Sequence, residues 1–290
     1  MGFTLSPLRY PGGKSRLAGF VRALLQENAL GRVAYIEPFA GGAGIAWALL
    51  LDGSITTVHL NDLDPAVYSF WRSVRDKTEE LCRLIRDTQV RMSTWNRQKE
   101  VIREPSDYSM LELGFAAFFL NRTNRSGVIR GGVIGGQKQA GKWKLGCRYN
   151  KKALIQRIQQ IATEGRRIHL YHTEARRFIV QILPQLSRHS LVFLDPPYFG
   201  RGHDLYLNLY KSSDHAALAK DIQDKIRQPW IVSYDDVPAI RRHFTGVTRA
   251  RYRLSYSVAE RYVGSELLFF SPRLKIPVDA IPQYPIVPHS

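Results

Sequence analysis

Apolar residues recur along this chain with two periods, and the periods alternate. Leu17, Phe20, Val21, Leu24 and Leu25 stand at helical spacing and predict a helix over residues 15–27, with Gly31 as a stop signal. Val33–Glu37 (VAYIE) reads as a buried strand, Pro38–Gly44 (PFAGGAG) as a turn, and Ile45–Leu51 as a second helix. Four more short apolar runs predict strands: Thr56–Leu60, Arg167–Tyr171, Ser190–Leu194 and Pro229–Tyr234. Strands separated by helical stretches predict an α/β fold, with a mostly parallel sheet and helices on both faces. Val247–Leu254 and Leu267–Phe270 predict a terminal hairpin of antiparallel edge strands.

The alternation breaks between residues 65 and 164. Asp107–Arg122 is apolar on most faces and predicts a buried helix. Ser126–Gly146 then holds seven glycines among several basic residues. A loop this long is either functional or disordered, and this one is expected to be mobile until phosphates order it. The expected organisation is a sheet domain over residues 1–64 and 165–275, with a smaller, mostly helical insert over 65–164. Residues 276–290 contain Pro277, Pro282, Pro285 and Pro288, which predict an extended tail on the surface.

Composition narrows the class. With 290 residues, 44% hydrophobic and 23% charged, the chain is no disordered polymer. Its longest apolar run, Ile45–Leu51, is too short to span a bilayer, and Met1–Arg16 lacks the apolar core of a secretory signal. A cytoplasmic protein is expected. Cys82 and Cys147 are too few for a disulfide framework or a thiolate zinc site and read as free thiols. Lysine and arginine total 42 against 25 acidic residues, a net charge of +17. Such a field favours a polyanion, and without a basic amphipathic helix nucleic acid is favoured over membrane.

Three clusters carry candidate chemistry. Asp195-Pro196-Pro197-Tyr198 follows the strand LVFL, and ligands of open parallel sheets bind beyond the carboxyl ends of strands. A strand-ending turn accounts for the prolines but not for the tyrosine. The exocyclic amine of adenine is a poor nucleophile, because its lone pair is delocalised into the ring. An Asp195 carboxylate and the Pro196 carbonyl can accept its two N–H bonds and direct that lone pair at an electrophile. Pro197 has no N–H, which stiffens the backbone, and Tyr198 offers a flat face for a base turned out of a duplex.

The second cluster is Phe39–Gly44 (FAGGAG), where glycines admit a cofactor close to the backbone, together with Asp62 after the next strand. A carboxylate there can bind both ribose hydroxyls of a nucleoside cofactor such as S-adenosylmethionine. Asp62 and Asp64 also suit a helix N-cap before Pro65, Asp64 better by position. The third is Arg9-Tyr10-Pro11-Gly12-Gly13-Lys14, which can surround an anion but lacks the spacing of a nucleoside-triphosphate loop.

PGGK, EPFAGGAG, LNDLD, the Asn121-Arg122 pair and FLDPPY, in that order, resemble the Dam-like (class alpha) DNA adenine-N6 methyltransferases over residues 8–270. The resemblance implies a Rossmann-like methyltransferase sheet with an inserted target-recognition domain. It implies S-adenosylmethionine as cofactor, with Tyr10, Lys14, Glu37, Phe39, Gly41, Asp62 and Asp195 around it. The glycine usual two places after Gly41 is Ala43 here. Asp195, Pro196, Pro197 and Tyr198 are the implied catalytic set. Double-stranded DNA is the implied partner, met by Arg122, Asn124, Arg125, Arg130, Lys138, Tyr149, Tyr206 and Tyr210. A monomer is expected, bound to the nucleoid when on DNA, with room for a cognate restriction endonuclease. No metal is needed, because displacement at a sulfonium is driven by positioning and electrostatics. Cytosine-N4 or RNA adenine methylation, or a silent nucleic-acid-binding protein, are the alternatives left open.

Overall fold

The computed structural model describes residues 5–10, 14–199, 210–257 and 261–282, with backbone alone for 253–257 and 261–264. Seven strands are formed: β1 (Ala34–Glu37), β2 (Thr57–Asn61), β3 (Ile168–Tyr171), β4 (Ser190–Leu194), β5 (Trp230–Asp235), β6 (Arg249–Ser257) and β7 (Arg261–Phe270). They make one sheet in the order β3-β2-β1-β4-β5-β7-β6. The first five are parallel, and β7 is antiparallel to both its neighbours. The expected hairpin is present, but only β6 is an edge strand. β7 lies inside the sheet because its apolar run, Leu267–Phe270, is buried on both faces.

Side chains of a strand alternate between faces, and the two faces are covered by different helices. On one face Tyr35, Leu191, Phe193, Ile231 and Phe270 pack with α1 (Ala18–Glu27), α2 (Gly44–Leu51) and α3 (Pro65–Asp76). On the other, Ile36, Val192, Val232 and Phe269 meet Phe178 and Ile179 of the π turn that follows α8 (Ala175–Arg177), together with α9 (Ser212–Lys225) and α10 (Pro238–His243). This is the doubly wound α/β sheet that the sequence predicts.

Between β2 and β3 the chain also forms α4 (Thr78–Asp87), α5 (Met92–Arg103), α6 (Met110–Thr123) and α7 (Lys151–Ala162). Ser109 and Glu112 close a capping box at the start of α6, which is buried almost all round. Phe118 of α6 stacks on Phe70 of α3, ring centroids 5.7 Å apart. These helices share one continuous hydrophobic cluster with the sheet, so residues 65–164 are packed onto it rather than tethered to it.

The tail is not wholly superficial. Asn28 holds residue 275 by two hydrogen bonds of 2.7 and 2.8 Å, and Ile281 is buried in the core. Residues 283–290 lie outside the described residues. Among those described, no helix is long and apolar enough to cross a membrane.

Helix α6 approaches α3 at Gly114, where a Cβ would stand 2.6 Å from the Ser69 carbonyl oxygen. Gly114→Ala is expected to destabilise the protein by about 1–3 kcal/mol through overpacking, measured by urea unfolding. A gain of ~1 kcal/mol, the usual result of Gly→Ala in an uncrowded helix, would show that the two helices are not held this closely.

Candidate active site

The strand order reverses between β1 and β4, and a crevice opens at such a reversal. The turn after β1 is held from three sides. The Gly41 N–H donates to Asp62 at 2.8 Å, its carbonyl accepts from the Trp71 indole at 2.9 Å, and the Gly42 carbonyl accepts from Ser6 at 2.6 Å. Gly41 and Ala43 both adopt left-handed backbone, φ +46° and +47°. Ala43 takes it at a cost of roughly 1–2 kcal/mol. The Tyr10 ring lies across the turn, so near that a Cβ on Gly41 would stand 2.8 Å from it. Asn61 ties the ends of β1 and β2 to the chain after β3, donating to the carbonyls of Pro38 and Thr173.

Asp62 and Asp64 divide the two tasks open to them. Asp64 caps α3, accepting from the Ala66 N–H at 2.9 Å. Asp62 accepts from the backbone N–H groups of Gly41 and Asp64, which leaves carboxylate lone pairs for a ligand. Burial, reinforced by the Asp64 charge, pushes Asp62 up to about 7. Burial likewise pushes Glu37 up to about 8, with Asp195 adding to the rise.

At the end of β4 the Lys14 ammonium stands 3.0 and 3.1 Å from the two oxygens of Asp195. It also donates to the Tyr198 hydroxyl at 2.5 Å and lies 3.4 Å from Glu266 on β7. The Tyr198 hydroxyl in turn donates to Glu266 at 2.5 Å. Ser233 of β5 and Tyr252 of β6 donate to the other oxygen of Glu266. Burial lifts the Asp195 carboxyl to about 6 against the pull of Lys14, and Glu266 adds to the rise. The Phe199 N–H donates to Asp235, which fixes the chain beyond Tyr198.

The structure thus gathers Tyr10, Lys14, Glu37, Gly41, Asp62, Asp195, Pro196, Pro197 and Tyr198 at the carboxyl ends of β1, β2 and β4. Lys14, expected against the cofactor, is engaged by Asp195, Tyr198 and Glu266. Tyr198, expected to offer an open face, is buried, 7% exposed. Phe39 and Tyr210 meet edge to face, and the Tyr210 hydroxyl donates to Glu174. Tyr149, expected at DNA, packs its ring against Phe118 and Phe119 in the core beside α6. Asn124 is fully buried and organises the loop, accepting from Trp95 and donating to the carbonyls of Val128 and Ile129.

Arg122 turns its guanidinium onto the Arg148 carbonyl, and Arg130 pairs with Asp64 at 2.6 Å. Arg125 and Lys138 are exposed. The loop Ser126–Gly146 is hydrogen-bonded without DNA: the Gln139 side chain takes the Leu145 N–H and donates to the carbonyls of Ile134 and Gly136. Tyr206 and the Pro11–Gly13 segment lie outside the described residues. Glu266 escaped the sequence reading. Its signal is an acid inside a strand whose neighbours are all apolar on one side (SELLFF).

A family model for the D12 class N6 adenine-specific DNA methyltransferases matches residues 10–257. The chain belongs to this family. The protein is a methyltransferase, and its cofactor is S-adenosylmethionine. Among solved structures it is similar to the rRNA methyltransferase aviRa of Streptomyces viridochromogenes (17% identity, 90% of this chain and 86% of that one, TM-score 0.41). It is also similar to a SAM-dependent methyltransferase of Agrobacterium tumefaciens (12% identity, 88% and 62%, TM-score 0.39). No curated protein matches the sequence.

The residues fit S-adenosylmethionine. Asp62 keeps carboxylate lone pairs beyond those that accept from the Gly41 and Asp64 N–H groups, which would suit the hydroxyls of a nucleoside cofactor lying on the Gly41 turn.

The raised Glu37 has a measurable cost. Its folded value, about 8, exceeds its ordinary 4.5, so the native state binds the proton more tightly and loses stability as pH rises between these values. Glu37→Gln is expected to gain on the wild type over that interval, by on the order of 1–3 kcal/mol. Urea unfolding at pH 5 and pH 8 measures it; a difference independent of pH would contradict a carboxyl raised by burial.

Proposed function

We propose that this protein is a site-specific DNA methyltransferase acting on the N6 amine of an adenine turned out of the duplex. The observation that carries the reading is the Asp195 carboxylate, held by Lys14 at the carboxyl end of β4 beside the Pro196 carbonyl. S-adenosylmethionine supplies an electrophilic methyl group on a sulfonium. Asp195 and the Pro196 carbonyl accept the two amine hydrogens and direct the nitrogen lone pair. Tyr198 supports the base. Asp62 holds the ribose, and Tyr10 and the Gly41 turn shape the wall of the cofactor cleft. When the amine gains a methyl group it sheds one proton, and the Asp195 carboxylate is the nearest base. Residues 65–164 carry target recognition in this reading, with Arg125 and Lys138 meeting phosphates. A cytoplasmic, nucleoid-bound monomer, with or without a cognate endonuclease, goes with it.

Tritiated S-adenosylmethionine offered with unmethylated duplex DNA, single-stranded DNA or RNA tests the reading after digestion to nucleosides. Label is expected in duplex DNA as N6-methyladenine. Label in N4-methylcytosine or in RNA would replace this reading with another base or polymer. Transfer is expected to fall in the order Asp195, Asn, Ala, while DNA binding changes far less, because the variants lose the acceptor but not the protein–DNA contacts. Full methylation by Asp195→Ala would end the mechanism.

Asp62→Ala is expected to weaken S-adenosylmethionine binding by ~1.5–3 kcal/mol, the value of charged hydrogen bonds, and to spare DNA binding. Calorimetry decides it. Unchanged cofactor affinity with a lowered melting temperature would reduce Asp62 to a staple of the Gly41 turn.

A further inference from the structure

Glu266 sits 1% exposed on β7, far in sequence from every motif of the site. An isolated buried carboxylate is costly, and this one is compensated by four groups from four elements. Tyr198, after β4, donates to one of its oxygens; Ser233 on β5 and Tyr252 on β6 donate to the other. The Lys14 ammonium, before α1, stands 3.4 Å away. Lys14 also donates to Asp195 and Tyr198, so one ammonium links all three side chains. The two residues that would face the target base, Asp195 and Tyr198, therefore both lean on groups that Glu266 holds.

We propose that Glu266 is a positioning residue for methyl transfer: it anchors the Lys14 ammonium and the Tyr198 hydroxyl, and through them sets the aim of Asp195 on the target amine. The proposal rests on the adenine methyltransferase reading above. Its chemistry is a competition. Lys14 already meets both oxygens of Asp195, and Glu266 on its other side fixes where along them the ammonium stands. Without the Glu266 charge the ammonium is held by Asp195 and Tyr198 and shifts across the lone pairs that the amine needs. At the same time the Tyr198 hydroxyl loses the acceptor that fixes its ring.

The titration of Asp195 reports the same link. The charged and titratable groups facing it are Lys14, Tyr35 and Glu37 on the β1 side, Tyr234 on β5, Tyr252 on β6 and Glu266 on β7. Glu266 raises the Asp195 carboxyl and Lys14 lowers it. Removing the Glu266 charge therefore lets Asp195 ionise at lower pH. Transfer requires the ionised form, so the acid limb of the kcat profile moves down.

The test uses the full-length protein, tritiated S-adenosylmethionine and unmethylated genomic DNA, with kcat and both KM values measured across pH. For Glu266→Gln, kcat is expected to fall by about tenfold to a hundredfold, the scale of misplacing a reacting group. KM for the cofactor is expected to stay near the wild-type value, and the acid limb to shift to lower pH. Glu266→Asp keeps the charge but shortens the reach. It should leave the limb in place while kcat still falls, and it stands in if the Gln variant does not fold. Wild-type kcat in a folded Glu266 variant overturns the proposal, as does an unmoved acid limb in Glu266→Gln. Loss of kcat that only tracks loss of folded protein, followed by thermal unfolding, also overturns it. A wild-type protein that labels no DNA overturns the underlying function instead, and this proposal with it.

Discussion

One ammonium group keeps the site together. Asp195 and Glu266 come from strands on either side of β5, Glu266 buried and Asp195 half-buried at the rim of the crevice. Two carboxylates in such a place repel one another and favour protonation. Lys14 bridges them, and it does so from the segment just before α1, almost two hundred residues from Asp195 in sequence. Because the same ammonium meets the Tyr198 hydroxyl, the charge balance of the site and the orientation of its aromatic ring are one constraint.

The carboxyls that line the crevice show where the fold accepts instability for the sake of chemistry. Glu37 and Asp62 lie at the carboxyl ends of β1 and β2, and burial raises both. A buried acid contributes nothing to packing. What it supplies is a fixed polar group, and the Gly41–Asp62 hydrogen bond holds that group at the cofactor turn.

The helical segment is bound into the molecule by the same economy of polar contacts. Asn121, at the end of α6, accepts from the Arg9 N–H at 2.7 Å and donates to the carbonyls of Arg9 and Gly127. Gly127, at φ +82°, lies so close to Arg9 that a Cβ would stand 2.3 Å from its carbonyl oxygen. The segment carrying Tyr10 is thus clamped between the cofactor turn and the Gly-rich loop, so the two halves of the proposed site share a wall.

Much of this was legible in the sequence. Period-two and period-3.6 patterns located the five parallel strands and α6, because burial of one face or both faces leaves that periodicity in the chain. Asp195, Asp62 and the Gly41 turn were legible because ligands sit at the ends of strands, and strand ends can be read. What stayed hidden were relations between distant segments. Tyr149, Asn124 and Arg122 look alike in sequence to residues that meet DNA, since an aromatic, an amide and a guanidinium serve equally as loop contacts or as internal braces. Only packing assigned Tyr149 to the core beside α6, Asn124 to the loop carbonyls and Arg122 to the Arg148 carbonyl. The sequence by itself determined the five parallel strands and the acids Asp62 and Asp195 where two of them stop, because those follow from local periodicity and from where strands end. The tertiary structure alone decided that Lys14 faces Glu266 as well as Asp195, because hydrogen bonds across a sheet depend on strand order, and strand order leaves no local mark on the chain.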